Sequence, residues 1–413
     1  MFHRRRRLLA ATTALTLGAA MMPLGAFAQD DGPIRIGHLT PRTGFLGPLG
    51  EYAVMAADLA VEEINAAGGI NGRMIEVIKE DSVNPQTAST KAERMIERDN
   101  VVAIVGEISS ASALTISQVT DRARRPFLNT GANSDTLRGD DCKRFMFHVE
   151  TQNAMYVNAE GQYLQSEGLV DGKNWYLLTA DYAFGHDLLD AARVFLDRTN
   201  GNIAGDDLVP TDATDFSSYL LKVREAKPDV VVSNLAGTQI TSFLKQYTEF
   251  GLDAPVGGFG FDTASAWAAG GDNFKGTWPT VWTHQVDTER SQEFVKAFTD
   301  KYGKPPENQA FGDYTAMHIL AQAIGAVGTD GDALVGYLEN PENTFDVMKS
   351  RPAYFNPKNH QLMQEVYTIT ALPPGEQPDQ WDIFTTSEPV PAPDQPLETL
   401  IEAAVGGECS FGG

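Results

Sequence analysis

Val101 to Ser112 reads VVAIVGEISSAS, and the reading of this stretch decides the fold. Its run of β-branched and small apolar residues, Val101 to Val105, is too short for a free helix and suits a strand buried on both faces of a parallel sheet. The run stops at Gly106. Beyond it Glu107, Ile108, Ser109, Ser110, Ala111 and Ser112 lead into Ala113, Leu114, Ile116 and Val119, an apolar pattern at helical spacing. The reading is strand, serine turn, helix. At the carboxyl ends of strands in open α/β sheets, the free N–H groups of the next helix favour an anion, and a serine adds a hydroxyl. Ser109, Ser110 and Ser112 equally suit plain capping of the helix, and this stretch alone leaves both readings open.

The same alternation extends in both directions. Ile34 to Leu39 is a short apolar strand followed by the turn-rich Pro41 to Gly50, and Ala53 to Ile64 carries one apolar helical face that stops at Gly68-Gly69. Ile75 to Lys79 is a second strand, and Thr87 to Arg98 is a helix that delivers the chain to Val101. Pro126 to Asn129 is a further strand, ending in Thr130-Gly131-Ala132-Asn133-Ser134. The series then restarts. Trp175 to Leu178, Asn202 to Val209, Pro228 to Ser233 and Val256 to Phe259 read as strands, and most open into helices through polar or aromatic loops. Two such series predict two α/β lobes built from right-handed βαβ units. Pro373 to Pro396, rich in Pro and acid, reads as an extended surface tail.

The first 28 residues stand apart. Arg4 to Arg7 form a basic region, Leu8 to Ala20 an apolar one, and Ala26-Phe27-Ala28 a small-residue cleavage site, which together predict a signal peptide cleaved after Ala28. The stacked arginines also permit a twin-arginine route. No Cys follows the site, so a lipid anchor is not supported. Removing four arginines makes a formal charge of -23 more negative still, which argues against non-specific binding of nucleic acid or an anionic membrane. The remaining chain is longer than one core usually serves, favouring two lobes. Its two cysteines, Cys142 and Cys409, lie in an exported protein, where disulfides persist, and are expected to pair.

Catalytic motifs are missing from the sequence. The histidines beyond the signal form no zinc spacing, and neither a G-x-S-x-G elbow nor a G-x-x-x-x-G-K-[ST] loop occurs. Gly257-Gly258-Phe259-Gly260 lacks dinucleotide spacing. No metal or cofactor is expected, and no enzyme. Glu107, Asp181 and Asp262 fall near strand ends, placed to meet solvent or a ligand's cation.

Thr40-Pro41 with Thr43-Gly44, the stretch Ala60 to Gly72 (AVEEINAAGGING), Val105-Gly106 with Ser109 to Ser112, and Tyr182-Ala183-Phe184-Gly185 together resemble the periplasmic substrate-binding proteins of the branched-chain amino-acid ABC-transporter family. The likeness runs from Ile34 to about Ile369. It implies a type I periplasmic binding fold: two doubly wound lobes joined by three crossing segments, with a ligand held between them by hinge closure. The crossings are expected near Val149 to Gln152, Trp278 to His284 and Arg351 to Pro357. Residues 29–149 and 284–352 would then form the first lobe, 150–283 and 353–371 the second, and 372–413 a C-terminal tail. A monomeric periplasmic protein that delivers an amino acid or related small carboxylate to membrane permease subunits is implied. The alternatives are an aromatic or short aliphatic carboxylate as ligand, or a sensory role at a receptor.

Position by position, the resemblance assigns the ligand carboxylate to the serine turn, Ser109 and Ser110, and to Gly131 and Ala132, with Asn133 where Thr is usual. Phe184, with Tyr182 beside it, would pack on the ligand. The fourth loop offers Asn234 where Tyr is common. For the ligand's ammonium the match is divided between Phe259, at the expected position, and Asp262 three residues later. If Asp262 faces the cleft, an amino acid is implied; if not, an aromatic or aliphatic carboxylate.

Overall fold

A computed structural model describes residue 1 and residues 32–401 and 406–411; the stretch expected to be a signal peptide therefore lies almost wholly outside the described residues. The chain from Pro33 on builds two large sheets and one two-stranded sheet. The first takes β1 (Ile34–Thr40), β2 (Ile75–Asp81), β3 (Ala103–Gly106), β4 (Phe127–Asn129) and β5 (Met146–His148), all parallel, in the order β2-β1-β3-β4-β5. Between these strands run α1 (Gly47–Ala66), α2 (Pro85–Glu97) and α3 (Ser110–Ala123). Every residue of β3 is buried, as its position at the centre of the sheet requires. It ends on Gly106 at φ 128°, where a Cβ would lie 2.1 Å from the Leu39 carbonyl oxygen, so only glycine lets β1 and β3 approach here.

The second lobe begins with α4 (Asn153–Ser166) and continues as β6 (Asn174–Ala180), α5 (Ala183–Arg198), β7 (Asn202–Val209), α6 (Ser217–Ala226), β8 (Val230–Asn234), α7 (Thr238–Glu249), β9 (Val256–Gly258), α8 (Thr263–Ala269) and β10 (Thr277–Thr280). The chain then returns to the first lobe as α9 (Glu289–Tyr302), α10 (Asn308–Val327) and α11 (Gly331–Leu338). Their apolar faces and that of α1 cover one side of the first sheet, while α2 and α3 cover the other.

The last crossing departs from expectation. β11 (Tyr354–Phe355) and β12 (Leu362–Met363) form a small hairpin that stays at the edge of the first sheet, because Gln361 bridges in parallel to His148 of β5. The chain joins the second sheet only at β13 (Tyr367–Ala371), about ten residues after the predicted Arg351 to Pro357. The stretch expected as a surface tail also differs: Phe384–Thr386 forms β14 antiparallel to β13, with Ile383 and Phe384 buried. The second sheet accordingly has the order β14-β13-β10-β9-β8-β6-β7. Beyond it the chain runs back to the first lobe. Val390 bridges to Val366, Arg351 donates to the carbonyls of Pro391 and Gln395, and Phe411 stacks on His360 at 4.2 Å. Cys142 and Cys409 are joined in a disulfide, with Cα atoms 5.6 Å apart.

Candidate functional site

The carboxyl ends of both sheets face a single narrow cavity. Ile108 enters it from the loop after β3, Gly131 and Asn133 from the loop after β4, and Glu150 from the first crossing. Tyr182 and Phe184 come from the β6 to α5 turn, Leu235 and Ala236 from the end of β8, and Gly260, Phe261 and Asp262 from the end of β9. Leu46 precedes α1, Tyr156 lies on α4, and Asn308 and Gln309 open α10. The room left for the centre of a water molecule is about 20 Å³, little more than one water needs. Residues from both sheets are brought together here at their strand ends, where open α/β folds place their ligand sites.

Most of the chain matches a known family. Residues 33–373 fit the family described as periplasmic binding protein. The chain belongs to the periplasmic binding proteins. A curated relative, the Leu/Ile/Val-binding protein homolog 7 of Brucella abortus, is 29% identical over 335 residues, covering 78% of this chain and 84% of that protein. A branched-chain amino-acid ABC transporter periplasmic ligand-binding protein from Burkholderia xenovorans is 26% identical, with a TM-score of 0.76 over 89% of this chain and 97% of that one. A periplasmic binding protein from Burkholderia mallei shares the fold at a TM-score of 0.83, with 24% identity and coverage of 92% and 99%. By its family the chain is thus a solute-binding protein.

Within this binding protein the expected residues divide. Gly131, Asn133, Tyr182, Phe184 and Asp262 line the cleft. Ser109 caps α3, its hydroxyl accepting from the Ser112 N–H at 3.4 Å, and faces a neighbouring surface hollow with Thr43 and Tyr182. Ser110 is fully buried behind the cleft wall, and its hydroxyl accepts from the Ser134 N–H at 3.3 Å. Ala132 is buried too, bonded through its N–H to Asn129 Oδ1 at 2.9 Å. Asn234 lies among the buried residues of β8, and the next two residues line the cleft in its place. Phe259 is elsewhere altogether. It is fully buried 5.8 Å from Trp175 and 6.5 Å from Phe195, packed in the core between sheet and helices. Of the two residues matched to the ammonium end, Asp262 is therefore the one that reaches the cleft.

Residues the sequence reading missed supply much of the polarity. Asp262 Oδ1 accepts from Asn308 Nδ2 at 3.3 Å and Gln309 Nε2 at 3.2 Å, and burial pushes its carboxyl above the ordinary range. Glu150 Oε1 accepts from the Thr151 N–H at 2.7 Å, the Thr151 hydroxyl at 2.9 Å and the Tyr156 hydroxyl at 2.8 Å. Burial raises its carboxyl as well, and the charge of Asp262 adds to the rise. Behind the wall, Glu107 Oε1 takes the N–H groups of Ile108 at 3.0 Å and Ser109 at 2.7 Å. Its burial pushes the carboxyl up to about 8. Glu150, Asn308 and Gln309 stand at a crossing and at a helix start, where no sequence motif marks them.

Proposed function

We propose that this protein binds an amino acid in the cleft, with the ligand's ammonium against Asp262 and its apolar part against Phe184, Leu235 and Phe261. The observation that carries the reading is the Asp262 carboxylate, set half-buried in the cleft wall beside these apolar side chains. A buried carboxylate is costly unless paired, and a ligand ammonium supplies the pair. The proposed cycle is hinge closure of the two lobes on the ligand, then release to membrane permease subunits. The protein is read as a periplasmic monomer after cleavage behind Ala28. Its lobes would divide at the crossings Val149 to Gln152, Val281 to Thr288 and Gln364 to Val366.

A thermal-shift screen followed by calorimetry tests this. Amino acids are expected to raise the melting temperature by mass action, benzoate and short aliphatic carboxylates are not, and Asp262→Asn is expected to abolish the shift. Tight binding of a carboxylate without an amine, unchanged in Asp262→Asn, would reject the reading.

A further inference from the structure

The charge and hydrogen-bond inventory of the cleft narrows the ligand beyond an ammonium group, and the argument rests on the cleft being the ligand site proposed above. Two carboxylates, Glu150 and Asp262, line it, and among the described residues that do so none is Lys or Arg. Arg138 lies close by, fully enclosed, but its hydrogen bonds go to neutral acceptors. Nε donates to Gln361 Oε1 at 2.9 Å, one terminal nitrogen to the carbonyls of Ala132 and Ser134, and the other to those of Glu150 and Thr151. It is a brace for the loops around the cleft and does not reach into it.

Several of the donors expected to hold a ligand carboxylate are engaged within the protein. The N–H groups of Ile108 and Ser109, at the start of the serine turn, both bond Glu107 Oε1. Those of Gly131 and Ala132 bond Asn129 Oδ1 at 3.4 and 2.9 Å. The Asn133 amide donates to the Thr151 carbonyl at 3.0 Å. Glu107 thus places an internal carboxyl group where the anion-favouring start of α3 would otherwise meet an external carboxylate.

Acceptors remain free. Gln309 Nε2 is held by Asp262, which fixes the amide's orientation and turns Oε1 away from it; that oxygen is buried without a partner. It lies directly against Gly131, where a Cβ would come within 2.4 Å of it. A neutral zwitterion entering this space would bring a further carboxylate to the two already lining it. A ligand with an additional cationic or N–H-rich end would instead meet Asp262 and the free oxygen. The strongly negative chain as a whole favours the approach of the same class.

We infer that the cleft selects a ligand of net positive charge, a basic amino acid or the corresponding amine, whose two nitrogen-bearing ends are held by Asp262 and by Glu150 with Gln309 Oε1. The test uses the mature protein with L-lysine, L-arginine, cadaverine, L-leucine and benzoate as probes, read by calorimetry and melting temperature. At least one of the three cations is expected to bind on the order of 100-fold more tightly than L-leucine, and Asp262→Asn and Glu150→Gln are each expected to remove on the order of 100-fold of that affinity. Both variants are also expected to melt no lower than the parent without ligand, since each removes a buried charge; this separates lost recognition from lost folding. If L-leucine binds as well as the cations and still depends on Asp262, the inference fails while the amino-acid reading stands. If benzoate binds best and ignores Asp262→Asn, both fail. An absence of any shift with the three cations at millimolar concentration also overturns the inference.

Discussion

Replacing Glu107 by Gln isolates one buried charge whose cost can be worked out. Glu107 has no exposed surface, and burial moves its carboxyl from the ordinary 4.5 to about 8, with the charge of Asp81 as a smaller contribution. The folded state therefore keeps a proton that the unfolded chain releases, and stability falls as pH rises from about 4.5 to about 8. At about 1.4 kcal/mol per pH unit inside that window, the loss between pH 5 and pH 8 is roughly 3 to 4 kcal/mol. Glutamine retains an oxygen for the Ile108 and Ser109 N–H groups but cannot ionise, so Glu107→Gln is expected to lose this share of the slope and to melt several degrees above the parent at pH 8. At pH 5 the two should nearly coincide. Asp135, whose carboxyl burial also raises to about 8, contributes the same slope to both proteins and cancels in the difference. The assay is the melting temperature of the two ligand-free proteins across this pH range. Parallel curves would show that Glu107 ionises in the folded state as easily as in water, and would refute the assignment of a buried, internally bonded carboxylate at the head of α3.

Further outcomes follow from the same geometry. Phe259→Ala is expected to cost about 3 to 5 kcal/mol of stability, as loss of a fully buried ring does, and to leave ligand affinity unchanged where the protein is folded; a selective loss of affinity would return Phe259 to the cleft. The double replacement Cys142→Ser with Cys409→Ser removes the link between the end of the chain and the loop before β5. On the chain-entropy argument this lowers stability by up to roughly 5 kcal/mol, and a reducing agent should lower the parent's melting temperature towards that of the variant while leaving the variant unmoved. Because burial holds the Asp262 and Glu150 carboxyls above the ordinary range, affinity for an amine-bearing ligand should rise as pH climbs beyond that range. Calorimetry showing affinity independent of pH, with Asp262→Asn equally flat, would contradict the pairing.

What the sequence made legible was local. β3 could be read because five consecutive apolar residues at the centre of a parallel sheet need no partner in the sequence to reveal them, and Ser109 caps α3 as one of the two open readings required. β5 was missed because Met146–His148 is only three residues long and buried by long-range packing against β4 and His360. The divided match between Phe259 and Asp262 had no local solution: Val256–Gly258 is a strand of three residues ending in glycines, and once it stops, alternation no longer tells which side chain faces which way. Tertiary packing decides. Phe259 turns towards Trp175 and Phe195, Phe261 turns towards Phe274 and Trp278, and Asp262 comes to rest on the first residues of α10 from the other lobe. The most consequential shift concerns the serine turn with which the reading began. Its anion-favouring N–H groups are real features of a helix start, but Glu107, the first residue after the strand, folds back and takes two of them. One carboxyl inserted between Gly106 and the serines changes what the turn can offer a ligand, and under the proposed function the recognition of charge passes to Asp262 and Glu150, residues far apart in the chain that line one cleft.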